Sequence, residues 1–582
     1  MLKKLLCVLL AAMMLLSLTA CKEPQDETQA TTAPQGTTAA GETTVAPTEP
    51  DLPYAFGLGE TFKADAPVTY SMFFSDASWY AFADTWETEG VFKKITDLTN
   101  VKLDVTKFDS GTYMDSVTLA VSGGEAAYII PKIYDESKFV TGGAVLAVSD
   151  YVQYMPNYQD FVTKYAMEPD LATITRADGK YYRLPGMLEA PLQDYTLMIR
   201  NDIFKAAGYD VAALEKDWTW NDLCDILVGV KAYMVQEGMC KESDYIWSDL
   251  WAGSESGQGN GGNILKLIGA SYGVPSGWAV GNGLQYDAAK DEWYFAATTD
   301  QYKDFITVAN RFIKEGILDP ESFTQDDKVG PDKFYNGKTA IISVNRSQVQ
   351  NFRNNLDSIL GAGNHETYVC VYPKGNNDYI AERNRLENGV MISSNALDDL
   401  GEEGVIQLFR FVDWLFYSPE AYTLIKWGVE GETFEYVTDA ATGLKVKQLL
   451  PGFKCGGLGI GGADEDVDIR LQWGYAGGVF WYGGTVAEMS DNFSPEIIAY
   501  YDRLGAYRKV SPINPPVQAD TDQSDQLSLM QTPLIDKVNE WTLRFVMGKD
   551  EMNDDNWNKF VGECESLGSE EYAAFYNEIY KG

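Results

Sequence analysis

VTYSMFFSDASWYAFADTWETEGVFKKITDLTNVKLDV, residues 68–105, decides the fold class. Val68–Phe74 is a short β-prone run, and the polar segment after it carries Ser75, Asp76, Ser78, Trp79 and Tyr80. Apolar residues then recur at helical spacing over Val91–Leu98, and Val101–Val105 is strand-like again. Strand, loop, helix, strand is the opening of a parallel α/β unit. In such sheets ligands gather at the loops that follow strand C-termini, which makes Asp76, Trp79 and Tyr80 candidate contacts. An aromatic pair in that position reads as a core lid about as often as a ligand platform.

The same grammar continues downstream. Tyr182–Gly186 reads Tyr-Arg-Leu-Pro-Gly, Tyr195–Ile199 is extended, and Arg200–Gly208 is a helix stopped by its glycine. Thr219-Trp-Asn-Asp222 is a capping box, whose Thr and Asp satisfy the free amides at a helix start. Phe334–Ser343 passes from a helix end through a turn into a buried strand, with the polar Asn345 and Arg346 after it. Val405–Tyr417 has helical apolar spacing, and Ser418-Pro419-Glu420 starts another helix with Pro in its first turn. That helix runs into Trp427-Gly-Val-Glu-Gly-Glu432, whose glycines mark a turn with close backbone approach.

Upstream lies a segment of another kind. Met1–Lys4 is basic, Leu5–Leu18 is apolar but short for a membrane span, and Leu18-Thr19-Ala20-Cys21 closes the run. LTAC resembles the lipobox of bacterial lipoproteins, which implies cleavage after residue 20 and lipidation of Cys21. Residues 21–64, rich in Thr, Ala and Pro, bury too little apolar surface to offset their ordering entropy and are expected to form a disordered tether.

The 582 residues, 45% hydrophobic and 13% aromatic, can build a large core in two or three domains. A formal charge of −39 makes nucleic acid a poor partner. Beyond Cys7 and Cys21, the thiols Cys224, Cys240, Cys370, Cys455 and Cys564 are too scattered for a disulfide framework, although Cys224 with Cys240 could form one bridge. The single histidine, His365, stands in a loop-like stretch beside no nucleophile and reads as a surface residue. No GxSxG, HExxH or P-loop string occurs, so the familiar triad, zincin and nucleotide chemistries find no support. A glycosidase, which needs only two carboxylates, stays open.

Taken in order, RLP, MIRNDIFKAAGYD, WTWNDL, KEGILDPESF, FYNGKTAII, DWLFYSPEAYTLIKWGVEGE and RFVMGKDEMNDDNWNKFVGECESLG make Pro67–Gly582 similar to the extracellular solute-binding lipoproteins of bacterial ABC importers, in the large oligosaccharide-associated group of family 1 type. Some members carry a calcium loop after the TWNDL box, but Lys241–Gly257 lacks DxDxD spacing, so neither a metal nor a cofactor is expected.

The resemblance implies an α/β, two-lobed, periplasmic-binding-protein-like fold of type II, with discontinuous lobes joined by a hinge. Lobe 1 is expected at 66–183 plus about 391–435, and lobe 2 at about 184–388 plus the C-terminal portion to 582. Hinge closure around a solute is then the signal read by a membrane permease. A pyranose has an apolar face for an aromatic ring and a rim of hydroxyls for polar groups. Candidate contacts are therefore Asp76, Trp79, Tyr80, Tyr134, Tyr195, Asn345, Arg346, Trp427, Glu430, Trp473, Tyr475 and Trp481. Trp427 and Glu430 read equally as fixers of their turn, and the late tryptophans as packing anchors.

The expected protein is a monomeric, non-enzymatic, lipid-anchored capture protein for a carbohydrate, on the extracellular face of the cytoplasmic membrane. A surface glycan receptor and an acid-pair hydrolase are the rival classes, and a peptide ligand is a further alternative.

Overall fold

The computed structural model describes residues 56–253, 256–382, 384–438, 445–478, 480 and 483–582. The leader, Cys21, most of the expected tether and Trp481 lie outside the described residues.

Two sheets organise the chain. In the first, β1 (Val68–Asp76) runs parallel to β2 (Val101–Asp109), with Val68 opposite Val101 and Asp76 opposite Asp109. β3 (Ile129–Ile133) lies parallel on its other side. The helix Val91–Thr99 crosses between β1 and β2, burying Val91, Phe92 and Ile95 as its spacing predicts. β4 (Leu184–Met187) belongs to this sheet too, through a late strand described below.

The second sheet is centred on β5 (Tyr195–Arg200). A hairpin, β6 (Leu284–Asp287) with β7 (Glu292–Phe295), stands apart from it. β8 (Ile341–Asn345) and β9 (Thr367–Cys370) flank β5 antiparallel, pairing Tyr195 with Asn345 and Leu197 with Cys370. β10 (Leu386–Ile392) then returns to the first sheet between β3 and β4, giving the order β2-β1-β3-β10-β4. The chain thus leaves the first sheet after β4 and re-enters it at β10.

Each sheet has its own core. Phe73, Val117, Ile130 and Met391 pack on the first. A larger core joins Leu197–Ile199 and Ile341–Val344 to residues of the C-terminal helices Thr521–Val546 and Asp554–Ser566, among them Trp541 and Phe560.

The local signals formed as read. Thr219 and Asp222 make the reciprocal capping box, Ser418 accepts from Ala421 N with Pro419 in the first turn, and Gly208 is left-handed after the helix Asn201–Ala206.

Several expectations need amendment. Phe62 and Ala64, placed in the tether, are buried: Phe62 packs edge-on to Phe411, whose ring also meets Tyr70 of β1, and Ala64 N donates to Thr99 O. β4 pairs with first-sheet residues although the second lobe was expected to begin at Leu184. The late segment around Ile469–Ala476 also docks on first-sheet elements: Trp86 Nε1 donates to Leu471 O and Tyr80 Oη to Gly474 O. Cys224 and Cys240 are free thiols. The His365 side chain is only 7% exposed, held at 2.9 Å from Asp357 Oδ1.

Candidate functional site

The candidate side chains stand at the amino end of β5, at the carboxyl end of β8 and on the loops that follow β1 and β3. From the second sheet, Tyr195 opens β5 beside Trp251 (5.1 Å between ring centroids, near-perpendicular) and Trp278 (5.2 Å), which are themselves 6.0 Å apart. Lys266, from the helix Gly262–Tyr272, lies over the Tyr195 and Trp278 rings at 4.9 and 5.6 Å and is ion-paired with Glu382.

Glycine builds this corner. A Cβ on Gly262 would stand 1.6 Å from Trp251 O, so only glycine lets the helix start beneath the indole loop. Trp251 is itself left-handed (φ 65°), a conformation that costs a bulky residue energy and concentrates at functional sites.

Buried Asp249 ties this loop to β8. It accepts from Trp247 Nε1 (3.0 Å), Ser343 N (2.7 Å) and Ser343 Oγ (2.9 Å), and loss of water raises its carboxyl to about 6 in spite of those donors. At the end of β8, Asn345 Oδ1 accepts from Ser347 Oγ (2.9 Å) and Gln348 N (3.1 Å), which fixes the turn, and the Arg346 side chain is largely buried. Arg346 lies over the Phe493 ring (4.8 Å) and 3.5 Å from Asp194. Burial alone would lower its guanidinium, but Asp194, Tyr501 and Tyr422 hold it net upward.

The first sheet supplies the opposing wall. Trp79 is 53% exposed, with Tyr80 parallel behind it at 5.9 Å and Arg470 5.8 Å from its ring. Tyr134, 63% exposed just past β3, sits 5.9 Å from Lys132 Nζ. The two walls face each other closely. Burial, then Asp194 and Glu382, then Tyr134 from the opposite wall raise the Tyr195 hydroxyl. At the start of β10, Glu387 is exposed, with the Glu382 and Asp194 carboxylates and the Lys132 and Lys266 ammonium groups near enough to act on it.

The sequence-derived contacts sort accordingly. Trp79 and Tyr134 are exposed on first-sheet loops, Tyr195 and Arg346 lie on the second sheet beside Asp194, Asn345 caps its turn, and Asp76 supports the Trp79 loop by accepting from Phe82 N at 2.9 Å. Tyr80 does not reach it: its ring is 1% exposed, packed under Gly477, where a Cβ would stand 1.7 Å from Cζ. Trp427 is equally buried, donating to Asp491 at 2.9 Å, while Glu430 is exposed on the turn that leads to Phe434. Trp473 and Tyr475 line a separate hollow of about 420 Å³ with Glu89, Lys93 and Glu432.

Trp251, Trp278 and Lys266 escaped the sequence reading. The available signal was a tryptophan beside the glycine-rich run Gly253–Gly262, the same pattern that drew attention to Trp473.

No family model matches the chain, and no curated relative matches it by sequence. Solved structures do. A calcium-free alginate-binding protein shares 15% identity over 90% of this chain and 99% of its own, with a TM-score of 0.66. The Streptococcus pneumoniae ABC-transporter substrate-binding protein solved with kestose gives 17% identity, 88% and 99% coverage and a TM-score of 0.61. An HMO-binding, ABC-transporter-associated solute-binding protein of Bifidobacterium longum infantis gives 15%, 89% and 99%, and 0.62. The chain has the two-lobed α/β fold, of the type II periplasmic-binding-protein-like class, that these three solved proteins share.

Proposed function

We propose that this protein is the extracellular substrate-binding component of an ABC importer, capturing an oligosaccharide by lobe closure and delivering it to a membrane permease. The observation that carries this reading is the Tyr195, Trp251 and Trp278 cluster with its Lys266–Glu382 pair, to which the exposed Tyr134 of the first sheet comes close enough to act on the Tyr195 hydroxyl. Flat apolar rings interleaved with charged hydrogen-bonding groups match a saccharide's two kinds of surface. The similar proteins solved with kestose or described as HMO-binding favour the same ligand class.

Residues 66–183 with about 391–435 form the first lobe in this reading, to which the docking of Ile469–Ala476 adds a late piece. About 184–388 and the C-terminal helices form the second. Crossing segments meet where Gly484 N donates to Met187 O and Glu189 N to Gly484 O, a place where small backbone rotations can open the lobes. Cys21 carries the lipid that holds the body at the outer face of the cytoplasmic membrane.

A thermal-shift screen of residues 51–582 against neutral and acidic oligosaccharides and peptides, with each hit checked for integrity by mass spectrometry, tests the function. An intact saccharide that raises the melting temperature is the expected result. Cleavage of the hit would make the protein a hydrolase, and peptide-only hits would overturn the sugar assignment. Incorporation of labelled lipid that persists in a Cys21→Ala variant would remove the anchor.

A further inference from the structure

Resting on the oligosaccharide-binding reading, we infer that Lys333 is a positioning residue for ligand binding: its ammonium locks the loop that carries Trp251, and the acceptor of Trp278, in the shape that presents both indoles.

That loop takes a strained course. Trp251 (φ 65°) and Gln258 (φ 49°) are both left-handed without being glycine. Such conformations persist only where the surroundings over-determine them. Here the surroundings are one stretch of chain, 317–333. Trp247 N donates to Ile317 O (3.0 Å), Asp319 N to Trp247 O (2.8 Å), Asp249 N to Ser322 Oγ (2.9 Å) and Gln325 Nε2 to Asp249 O (3.0 Å). Trp278 is held through the same loop: its Nε1 donates to Ser256 O (2.8 Å), and Ser256 Oγ in turn donates to Asp327.

Two glycines show how closely the segments approach. A Cβ on Gly253 would stand 2.0 Å from Gln325 O, and one on Gly330, in the helix Val329–Tyr335, 2.7 Å from Asp249 O. Only a residue without a side chain permits either contact.

Lys333 closes this assembly. Its Nζ donates to Asp319 Oδ2 (2.7 Å) and Ser248 Oγ (3.3 Å), and Ser248 Oγ also accepts from Gln325 Nε2 (3.1 Å). One ammonium thereby joins the helix Val329–Tyr335, the short turn Pro320–Phe323 that Asp319 caps, and the chain just before Trp251. Ser248 is wholly buried and Asp319 nearly so. A buried carboxylate that loses its cation is costly, so without the ammonium Asp319 turns toward water and releases Ser248. The lysine is not itself offered to the ligand, because its head group is spent on Asp319 and Ser248.

The test is isothermal titration of residues 51–582, as wild type and as Lys333→Ala, Lys333→Met and Lys333→Arg, with kestose, maltotriose, cellotriose and xylotriose, in parallel with near-ultraviolet circular dichroism. For the saccharide that wild type binds best, Lys333→Ala and Lys333→Met should bind about tenfold more weakly. Propylammonium, which replaces the lost stem and charge, should restore Lys333→Ala, propan-1-ol should not, and Lys333→Arg should keep most of the affinity. The indole signal should change in Lys333→Ala, and that change should vanish in a Trp251→Phe, Trp278→Phe background. Unaltered affinity in Lys333→Ala and Lys333→Met overturns the inference and leaves the oligosaccharide reading standing. Weaker binding that tracks a fall in melting temperature and answers to neither propylammonium nor arginine also overturns it, since that is loss of fold. Wild type that binds no saccharide overturns both.

Discussion

Asp249→Asn removes a charge from the interior without removing an atom's volume, and its effect on stability should depend on pH in a way that can be worked out in advance. The wild-type carboxyl is buried, has no cation against it, and is raised to about 6 from an ordinary value of 3.8. Because folding raises this carboxyl, the folded state binds the proton more tightly than the unfolded one. Its contribution to stability is greatest below the unfolded value and is lost as pH rises through about 6.

Integrating between those two values, wild type gains about 1.4 kcal/mol from this group on going from pH 7.5 to pH 5, and about 3 kcal/mol by pH 3. The proton has a place to go. Asp249 Oδ2 lies 2.9 Å from Ser343 Oγ, and Ser343 faces Asn263, whose Oδ1 has no partner. A neutral acid can donate to the hydroxyl, which in turn donates to a rotated Asn263 amide. The assay is urea unfolding of wild type and Asp249→Asn at pH 7.5, 6.5, 5.5 and 5.0, comparing only the difference at each pH, in which distant titrations cancel. Wild type should gain on the variant by about 1.4 kcal/mol across the series. A difference that stays constant within about 0.4 kcal/mol would refute the reasoning, since it would mean that the carboxyl holds an ordinary affinity for protons.

Three shorter predictions follow from packing and access. Gly477→Ala drives a methyl into the Tyr80 ring and should destabilise the first lobe by about 2–4 kcal/mol by denaturant unfolding, with much of that recovered in the Gly477→Ala, Tyr80→Ala double variant. Trp278→Ala should weaken saccharide binding by about 10- to 100-fold in calorimetry while shifting the melting temperature little, because the indole is half-buried at the cleft and its one hydrogen bond goes to Ser256 O. Of the described thiols, Cys224, Cys370, Cys455 and Cys564 are buried, so only half-buried Cys240 should react with a thiol reagent in the native body; all five should react after unfolding.

Local chemistry was legible, and spatial assembly was not. The capping box at Thr219, the serine–proline start at Ser418 and the strand–loop–helix–strand of 68–105 depend on contacts a few residues apart, where one side chain decides one backbone group. Trp79 and Arg346 could be singled out because they follow strand C-termini, a position that the sequence alone reveals. Tyr80 was misjudged because its ring stacks behind that of exposed Trp79 and is covered by Gly477, almost four hundred residues later in the chain. For Trp427 the packing reading holds and the ligand reading does not, and what decides between them is Asp491, more than sixty residues away, together with Lys447. Nothing local could show that Lys266 lies between Tyr195 and Trp278, or that Asp249 braces the loop of Trp251.

In the proposed reading, exposed aromatic rings bear on how the lobes close. A ligand seated only on Tyr195, Trp251 and Trp278 contacts the second lobe, and those contacts have the same strength whether the lobes are open or closed. Such contacts cannot shift the equilibrium, however tight they are. Only groups on the other lobe reward closure, and among the described residues the first sheet offers the exposed rings of Trp79 and Tyr134. To carry the lobes from 1:99 to 99:1 a ligand needs about 5.5 kcal/mol of preference for the closed state. Stacking on the two rings supplies about 1 kcal/mol each, which leaves more than half to hydrogen bonds made only when the lobes meet. Trp79→Ala should therefore leave a saccharide bound at the second lobe while reducing the compaction it causes in small-angle scattering; equal compaction of wild type and variant at equal occupancy would refute this.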